Sequence, residues 1–268
     1  PCDFTDLSER TLLPWKCQAE AIHGYGALAS IQLCHCGGSI VVDNGLPAYG
    51  PVDMVNDRGI RVHAMDETVM AQVCEDFANA AVFMKAAGFD GVMFHFGHGW
   101  LCTQFLSPLT NTRTDEYGGS VENRARFPLR ILRTVRERVG EDFLLDMRFS
   151  GEELREGGYT VDDALYFCRQ AEAYVDLINI SEGHYRDPVA TRQFPGMFHE
   201  RGCNAEMSGR VKAAVSTAKI SVVGAINSPE LAERIVTKGQ ADFLYLGRQL
   251  TADPLFVTKI AEGREDEI

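Results

Sequence analysis

The sequence lacks the long apolar segment that a membrane protein needs and the basic excess that a nucleic-acid-binding protein usually has. No apolar run reaches the roughly 18 to 20 residues that cross a bilayer, and the opening PCDFTDLSER lacks the order of a secretion signal. We therefore expect a cytoplasmic protein without a membrane partner. Its net charge of -12 disfavours nucleic acid as a partner, because the phosphates would be repelled.

Paired cysteine spacings and a glycine-rich nucleotide loop are also lacking. The eight cysteines are scattered through apolar segments without the spacing of a zinc site or a disulfide scaffold, so we expect reduced thiols. Cys34 and Cys36 are interpreted as thiols buried by packing. No G-x-G-x-x-G follows an apolar run, which argues against the open sheet whose first turn carries that motif.

What the sequence does contain is an alternation of two patterns, strand-like apolar runs and segments with helical spacing of apolar residues. The predicted strands are 30–35, 91–95, 144–150, 176–181, 221–225 and 243–247. The predicted helices are 66–87, 121–139, 160–174, 205–218, 228–238 and 253–262. Residues 1–20 are predicted as a loop and a helix that lead into the first strand. Helix starts are indicated by capping residues at Asp66, Thr160 and Ser228.

This alternation implies parallel strands with right-handed crossovers, in either a closed barrel or an open doubly wound sheet. Long polar loops after strands 91–95 and 176–181 favour an α/β fold of the TIM (β/α)8 barrel type, because one rim of such a barrel holds the active site. A barrel has eight strands and six are predicted, so we expect the first two strand-helix units to lie upstream of Pro1. Residues 1–268 are then expected to form a single, partial barrel domain.

Two histidines, His95 and His98, directly follow a predicted strand in the sequence HFGH. They could donate hydrogen bonds to a substrate oxygen, bind a metal ion, or form a structural pair. No third histidine or carboxylate stands at a matching strand end, so the metal site is the least favoured of the three. A metal-dependent hydrolase on a barrel and a non-catalytic, incomplete fragment are kept as alternative functions.

A longer motif follows the histidine pair. The segment FLSPLTNTRTDEYGGSVENR (105–124), together with HFGHGW and Gln104, resembles the signature of the old yellow enzyme family of FMN-dependent barrels. The match is particularly close to the bacterial branch that includes 2,4-dienoyl-CoA reductases and NADH:flavin oxidoreductases, and it runs from about Ala27 to Pro254. Four polar residues of the segment are interpreted as a salt-bridged network that fastens the loop to the rim: Asn111, Arg113, Asp115 and Arg124.

The resemblance implies an FMN site built from distant residues. Gln32 matches the glutamine that hydrogen-bonds the pyrimidine edge of the flavin, and Arg148 matches the arginine beside N1 and O2, where positive charge stabilises the reduced flavin. A buried ion pair is the alternative interpretation of Arg148. The turns after the last two strands match the phosphate cradle, with Gly224 and Ala225 in one turn and Gly247 and Arg248 in the other.

The resemblance also implies the reaction, which is reduction of an activated C=C bond in an enone, enoate or dienoyl thioester with electrons from NADH or NADPH. His95 and His98 match the pair that holds the substrate carbonyl oxygen. Trp100 stands where the family has a proton-donating tyrosine, and an indole does not release its proton near pH 7. We predict that His184 or Tyr185 donates instead, and we favour His184 for its unperturbed pKa. A surface histidine in a mobile loop is the alternative.

The loop 182–202 is predicted to shape the pocket for a small-molecule substrate, with Phe194 and Trp100 as substrate-binding residues. The related branch often continues into a four-cysteine iron-sulfur site and into FAD and NAD(H) domains. This sequence stops at Ile268, so the iron-sulfur cluster and FAD are expected only in a longer natural chain. A homo-oligomer is left open.

Overall fold

The structure is a computed structural model that describes residues 7–41, 45–187 and 192–268. Predictions that concern residues 1–6 and the part of loop 182–202 formed by residues 188–191 lie outside these ranges.

The described strands form two sheets. Their bounds are β1 (Ser30–Leu33), β2 (Ala48–Gly50), β3 (Met54–Val55), β4 (Arg61–Ala64), β5 (Gly91–His95), β6 (Leu144–Ser150), β7 (Leu177–Ser181), β8 (Lys219–Val223) and β9 (Phe243–Tyr245). The main sheet contains six parallel strands in the order β1-β5-β6-β7-β8-β9. In the small sheet, β4 pairs parallel to β2 and antiparallel to β3.

Helices alternate with the strands of the main sheet, as predicted. Their bounds are α1 (Glu9–His23), α2 (Glu67–Ala86), α3 (Leu101–Leu106), α4 (Val121–Val139), α5 (Val161–Ala171), α6 (Ala205–Ala214), α7 (Pro229–Thr237), α8 (Arg248–Ala252) and α9 (Phe256–Ala261). Short 3-10 helices occupy Gly37–Ser39 and Glu265–Glu267. Among the described residues, no helix combines the length and the apolar character needed to span a membrane.

The main sheet has one apolar face and one polar face, because successive residues of a strand point to opposite sides. On the apolar face, Phe94 of β5 packs against Phe77 of α2 with ring centroids 6.1 Å apart, and Phe149 of β6 packs against Phe167 of α5 at 5.1 Å. Each such buried ring stabilises the fold by about 1.5 to 3 kcal/mol relative to an exposed one. The helices are therefore held on the apolar face, and the opposite face is available for polar side chains.

The helix starts predicted from capping residues are confirmed. Asp66 accepts a hydrogen bond of 2.8 Å from the backbone of the first turn of α2. Thr160 and Asp163 form a reciprocal capping box at the start of α5. Ser228 accepts a backbone N–H of α7, and Pro229 occupies the first helical turn, where its missing N–H costs nothing.

The last predicted helix, 253–262, is wrong in its bounds. The structure has α8 and α9 instead, separated around Pro254. Asp253 is extended, with φ -138° and ψ 93°, because the residue before a proline is disfavoured in the helical region. The small sheet and α3 were not predicted, since each is too short to show a period.

The first strand also ends earlier than predicted, at Leu33. Cys34 is therefore exposed and Cys36 is partly exposed, so the interpretation of both thiols as buried is wrong. The chain leaves the sheet here and turns into the 3-10 helix Gly37–Ser39.

The polar segment 105–124 fastens the rim as predicted. Asn111 donates to two backbone carbonyls at 2.7 and 2.8 Å. Arg113 pairs with Asp115 and donates to two carbonyls that flank the small sheet, at 2.8 and 2.9 Å. Arg124 is buried and lies 3.3 Å from Asp163 at the start of α5. The network therefore joins the small sheet, α4 and α5.

A second buried arginine, Arg136 on α4, fastens the opposite ends of the strands. Its Nη2 pairs with Asp176 at 2.6 Å, and its other nitrogens donate to three backbone carbonyls at 2.9 to 3.0 Å. Asp176 also accepts the backbone N–H of Leu145 at 2.8 Å. Arg136 thus satisfies polar groups that are shielded from water.

We predict that Arg136→Met lowers the free energy of unfolding by about 3 kcal/mol, because it leaves a carboxylate and several carbonyls unpaired. The matched control is Arg133→Met on the same helix, where the side chain is 54% exposed and lies 3.9 Å from Glu137. This control should change stability by less than about 0.5 kcal/mol. Urea unfolding of both variants is the measurement, and equal losses would contradict the assignment.

Candidate active site

A cavity of about 540 Å³ opens where the strands of the polar face end. The carboxyl ends of parallel strands share one rim, so residues distant in sequence meet there. Six of the residues predicted from the sequence line this cavity: Arg148, Phe194, Gly224, Ala225, Gly247 and Arg248. Its size lies in the usual range for small ligands and cofactors, about 300 to 1,000 Å³.

The cavity wall is positively charged although the chain is acidic. Arg148, Arg201 and Arg248 line it, and its described lining contains no aspartate or glutamate. In a chain of net charge -12, three arginines around one cavity concentrate a field of the opposite sign. The wall therefore suits an anionic ligand.

Arg148 has a donor without an acceptor. Its Nε is buried and has no hydrogen-bond partner among the described residues, and the ion pair considered as its alternative role is not formed with any described carboxylate. Burial lowers the pKa of the guanidinium, although the nearby Asp146 and Tyr245 act in the opposite direction. A buried charged group with an unused N–H is costly without a ligand, so this atom points to one.

The turn after β8 presents bare backbone to the cavity. Gly224 has a φ of +144°, and a Cβ there would lie 2.7 Å from Nδ2 of the buried Asn204. The same Nδ2 donates to the carbonyl of Val223 at 2.6 Å, which fixes the turn. Across the cavity, Arg248 donates to the carbonyl of Pro195 at 2.8 Å and so ties the turn after β9 to the loop 192–200.

The two histidines after β5 are held in different ways. His98 is buried, with a φ of +61°, and its Nε2 lies 2.9 Å from Oγ of Ser181. Its backbone N–H donates to Oγ of Ser150 at 3.0 Å. Nε2 of His95 lies 3.4 Å from Nδ1 of His98, while the buried Nδ1 of His95 has no described partner. Ser181 also lines the cavity, so it connects the histidine pair to the arginine-lined wall.

An aromatic stack stands beside the histidine pair. The rings of Trp100 and Tyr185 lie 5.5 Å apart and within 9° of parallel, and Tyr185 stacks on His184 at 4.8 Å. A β-bridge joins the backbone of His98 to that of His184. His184 is buried, so the alternative of a surface histidine is wrong.

All three histidines are neutral at pH 7 in this arrangement. Burial, followed by the charge of Arg148, lowers the pKa of His95 to about 3 and that of His98 well below its usual value. Burial, followed by the charges of Arg155 and Arg186, lowers the pKa of His184 to about 3. The reason for which His184 was favoured, an unperturbed imidazole, therefore does not hold, and its role stays a prediction.

Gln32 is a predicted site residue that belongs neither to the cavity lining nor to the group formed by the histidines and the aromatic stack. It is exposed on β1 and does not line the cavity. Its register partner is Met93, which is in turn paired with Asp146, so the three residues share the polar face. Its predicted contact with the flavin stays a prediction.

Several polar residues on this face were missed. Asn179 donates to Ser221 at 3.0 Å, and the hydroxyl of Tyr245 donates to the buried Asp146. A signal was present in β6, where Asp146, Arg148 and Ser150 recur at every second position between apolar residues. A period of two places all three on one face.

Within the described ranges, no group of three or more His, Cys, Asp or Glu side chains is placed to hold a metal ion. The alternative of a metal-dependent hydrolase therefore gains no support from the geometry.

Comparison with known proteins adds to this geometry. Residues 7–267 match the model of the NADH:flavin oxidoreductase / NADH oxidase family. An NADH oxidase of Thermoanaerobacter brockii is 39% identical over 93% of this chain, which spans 39% of that protein. A solved 2-naphthoyl-CoA reductase in complex with 2-naphthoyl-CoA superposes with a TM-score of 0.87 and 31% identity over 97% of this chain and 42% of the other.

The barrel prediction is tested by a more distant structure. The old yellow enzyme homologue from Zymomonas mobilis superposes with a TM-score of 0.80 over 96% of this chain and 73% of the other, at 21% identity, which shows the fold alone. The chain spans less than half the length of the curated relatives that it matches. The predicted TIM-barrel fold is confirmed, and the chain belongs to the NADH:flavin oxidoreductase / NADH oxidase family, the old yellow enzyme family that its sequence resembles.

Proposed function

We propose that this chain is the FMN-binding barrel of an NAD(P)H-dependent oxidoreductase that reduces the activated C=C bond of an enone, enoate or dienoyl thioester. The observation that carries the proposal is the unpartnered, buried Nε of Arg148 in a carboxylate-free cavity that adjoins a neutral histidine pair. We further propose that residues 1–268 form one barrel domain, which is partial.

The proposed FMN contacts follow from the donors on the cavity wall. Arg148 would donate to the flavin ring, and the turns at Gly224–Ala225 and Gly247–Arg248 would hold the phosphate. Arg201 adds a positive charge to the same wall, and Gln32 is proposed for the pyrimidine edge. The bound cofactor would supply the hydride chemistry, accepting hydride from NAD(P)H and donating it to the alkene.

The histidine pair is proposed to hold the substrate carbonyl oxygen. A neutral imidazole has a single N–H to donate, and both ring nitrogens of His98 are already in contact, one with Ser181 and the other with His95. His98 is therefore proposed to hold His95 in place, and Nδ1 of His95, which has no described partner, would donate to the oxygen. A fixed donor is effective because it needs no reorganisation when negative charge develops on the oxygen, and one such donor is worth about 3 kcal/mol.

The proton for the α-carbon is proposed to come from Tyr185, with His184 as a residue that positions it. The hydroxyl oxygen of Tyr185 accepts a hydrogen bond of 3.2 Å from Nε of Arg186, which leaves the phenolic proton free to be donated. The same guanidinium would stabilise the phenolate left behind. His184, neutral at pH 7, lies under the ring and limits its movement.

Among the three substrate classes, the thioester is favoured. The solved relative is a 2-naphthoyl-CoA reductase, whose substrate is an aromatic thioester. Three exposed apolar side chains occur in loop 192–200, of which Phe194 and Met197 line the cavity and Phe198 is 94% exposed. Such side chains would cover an apolar acyl group.

The proposal predicts that the protein, purified with excess FMN, retains a visible flavin band that bleaches when NADH or NADPH is added without oxygen. Arg148→Met should weaken FMN binding by about thirtyfold, because a charge-assisted hydrogen bond contributes about 2 kcal/mol. Titration of flavin fluorescence gives both dissociation constants.

Arg133→Met removes the same charge from the outer surface and is the control for this measurement. It should bind FMN as the unchanged protein does. A protein that never retains flavin would contradict the proposal.

For the histidine pair, we predict that His95→Ala slows oxidation of the reduced flavin by an enone about 100-fold or more, because an oxyanion donor is lost. Stopped-flow absorbance measures this step apart from reduction by NADH. His63→Ala, a half-exposed histidine outside the cavity lining, should leave the rate unchanged. An equal effect of both variants would argue against the assigned contact.

For the proton donor, we predict that Tyr185→Phe slows the same step by about 100-fold, the lower end for general acid catalysis. His184→Gln should leave the shape of the rate profile between pH 5 and pH 8 unchanged. The reason is the sign of its shift, since an imidazole with a pKa of about 3 becomes charged only as the pH falls through about 3. A rate that falls as the pH rises through about 6.5, with this fall abolished in His184→Gln, would instead identify His184 as the acid.

A further inference from the structure

Asp146 is a buried carboxyl on the polar face, two residues before Arg148 on β6, so both side chains point to the same side. Its Oδ2 accepts a hydrogen bond from the hydroxyl of Tyr245, which lies on β9 at the edge of the main sheet. Its Oδ1 is buried without a described partner. Arg148 and Tyr245 both line the cavity, so Asp146 lies directly behind two of its wall residues.

The neighbours of Asp146 supply one adjacent positive charge. Burial raises the pKa of Asp146 to about 7, and the hydrogen bond from Tyr245 and the charge of Arg148 limit the rise. The titratable groups on the polar face of the strands around it are His95 of β5, Arg148 of β6, Lys219 of β8 and Tyr245 of β9.

The remaining groups contribute little charge. His95 is neutral, and Lys219 is exposed and two strands away. The facing residues of β1 and β7, Gln32, Leu177 and Asn179, do not titrate. On the polar face around Asp146, the charge therefore depends chiefly on Arg148 and on Asp146 itself.

We propose that Asp146, beside Arg148 on the polar face, takes up a solvent proton when the flavin bound in the cavity is reduced. This inference rests on the proposed flavin site. NAD(P)H transfers a hydride, which is two electrons and one proton, and becomes NAD(P)+, while the flavin gains one negative charge. The carboxylate of Asp146 then accepts a second proton from solvent and becomes a neutral acid, because added negative charge nearby favours its protonated form.

The consequence is a reduction potential with an extra dependence on pH. Above pH 7 the oxidised protein holds Asp146 as a carboxylate. Between this pH and the higher pKa that Asp146 has beside the reduced flavin, each reduction takes up one proton more than the flavin alone requires. One extra proton changes the equilibrium constant tenfold per pH unit, which is about 30 mV for a two-electron couple. Below pH 7 Asp146 is protonated in both states, and the extra dependence is lost.

The experiment is to measure the flavin reduction potential from pH 6 to pH 9 in the unchanged protein and in Asp146→Asn. Above pH 7 the slope should be about twice as steep in the unchanged protein as in Asp146→Asn, since two protons rather than one accompany two electrons. Tyr245→Phe retains the carboxyl but removes its donor, so the onset of the steeper slope should move to higher pH. The two variants make the result independent of either one failing to fold.

The matched control is Glu153→Gln. Glu153 is also buried, its pKa is also raised by burial, and its Oε1 also lacks a described partner. Its described hydrogen-bond donors, Ser107 and the backbone of Tyr159, do not line the cavity, whereas Tyr245, which donates to Asp146, does. This variant should keep the slope of the unchanged protein. Equal slopes in the unchanged protein and Asp146→Asn, or the same loss in Glu153→Gln, would overturn the inference.

The flavin-free protein separates this inference from the proposed function. The pKa of Asp146 is higher in the folded protein than the ordinary value of 3.8, so its contribution to stability is present at low pH and lost as the pH rises through 7. Urea unfolding from pH 5 to pH 8 should show this loss, and Asp146→Asn should remove it. If flavin binds normally while this titration is absent, the inference alone is contradicted. If the protein fails to bind flavin, both the inference and the proposed function are contradicted.

Discussion

The register of the parallel strands is the constraint on which the rest of the structure depends. Because Cα partners align across β5, β6, β7 and β8, one row on the polar face contains His95, Arg148, Asn179 and Ser221. A slip of one residue in any strand would exchange this row for the apolar residues that hold the helices. The packing of Phe94 and Phe149 against α2 and α5 therefore fixes the site as firmly as any contact within it, since it determines which face each polar side chain occupies.

Burial on that face then shifts the pKa values of the titratable groups, downward for the histidines and upward for Asp146. It disfavours charge, so it keeps His95 and His184 neutral, raises the pKa of Asp146 and leaves the Arg148 guanidinium with a donor in need of an acceptor. Neutral imidazoles are donors that do not repel Arg148. A positive wall and neutral donors can thus lie side by side, which a pair of charged histidines would not allow.

The sequence predicted those elements of the fold whose apolar residues form a long run or a clear period. The bounds of β5, β6 and α4 match the predictions residue for residue, because each is a long apolar or amphipathic run. The small sheet and α3 are too short to show a period, and apolar spacing alone does not predict the break between α8 and α9 at Pro254. In the site, the sequence predicted the glycine turns and the histidine pair. The hydrogen bond between Tyr245 and Asp146, which are 99 residues apart, depends on the curvature of the sheet and cannot be predicted from a local sequence pattern. The pKa of His184 could not be foreseen either, because it follows from burial.

Trp100 forms one side of an aromatic stack beside the histidine pair. An indole cannot serve as the acid, yet its flat ring supports that of Tyr185 at 5.5 Å, and His184 packs against Tyr185 at 4.8 Å. Gly99 allows this approach, since a Cβ there would lie 2.3 Å from Nε2 of His184. The residues after β5 therefore help to position the phenol of Tyr185, which comes from the loop after β7 and is the proposed acid. Because a stacked ring loses little further freedom when substrate binds, Tyr185 as the proposed acid would hold its proton at a fixed position, which general acid catalysis requires.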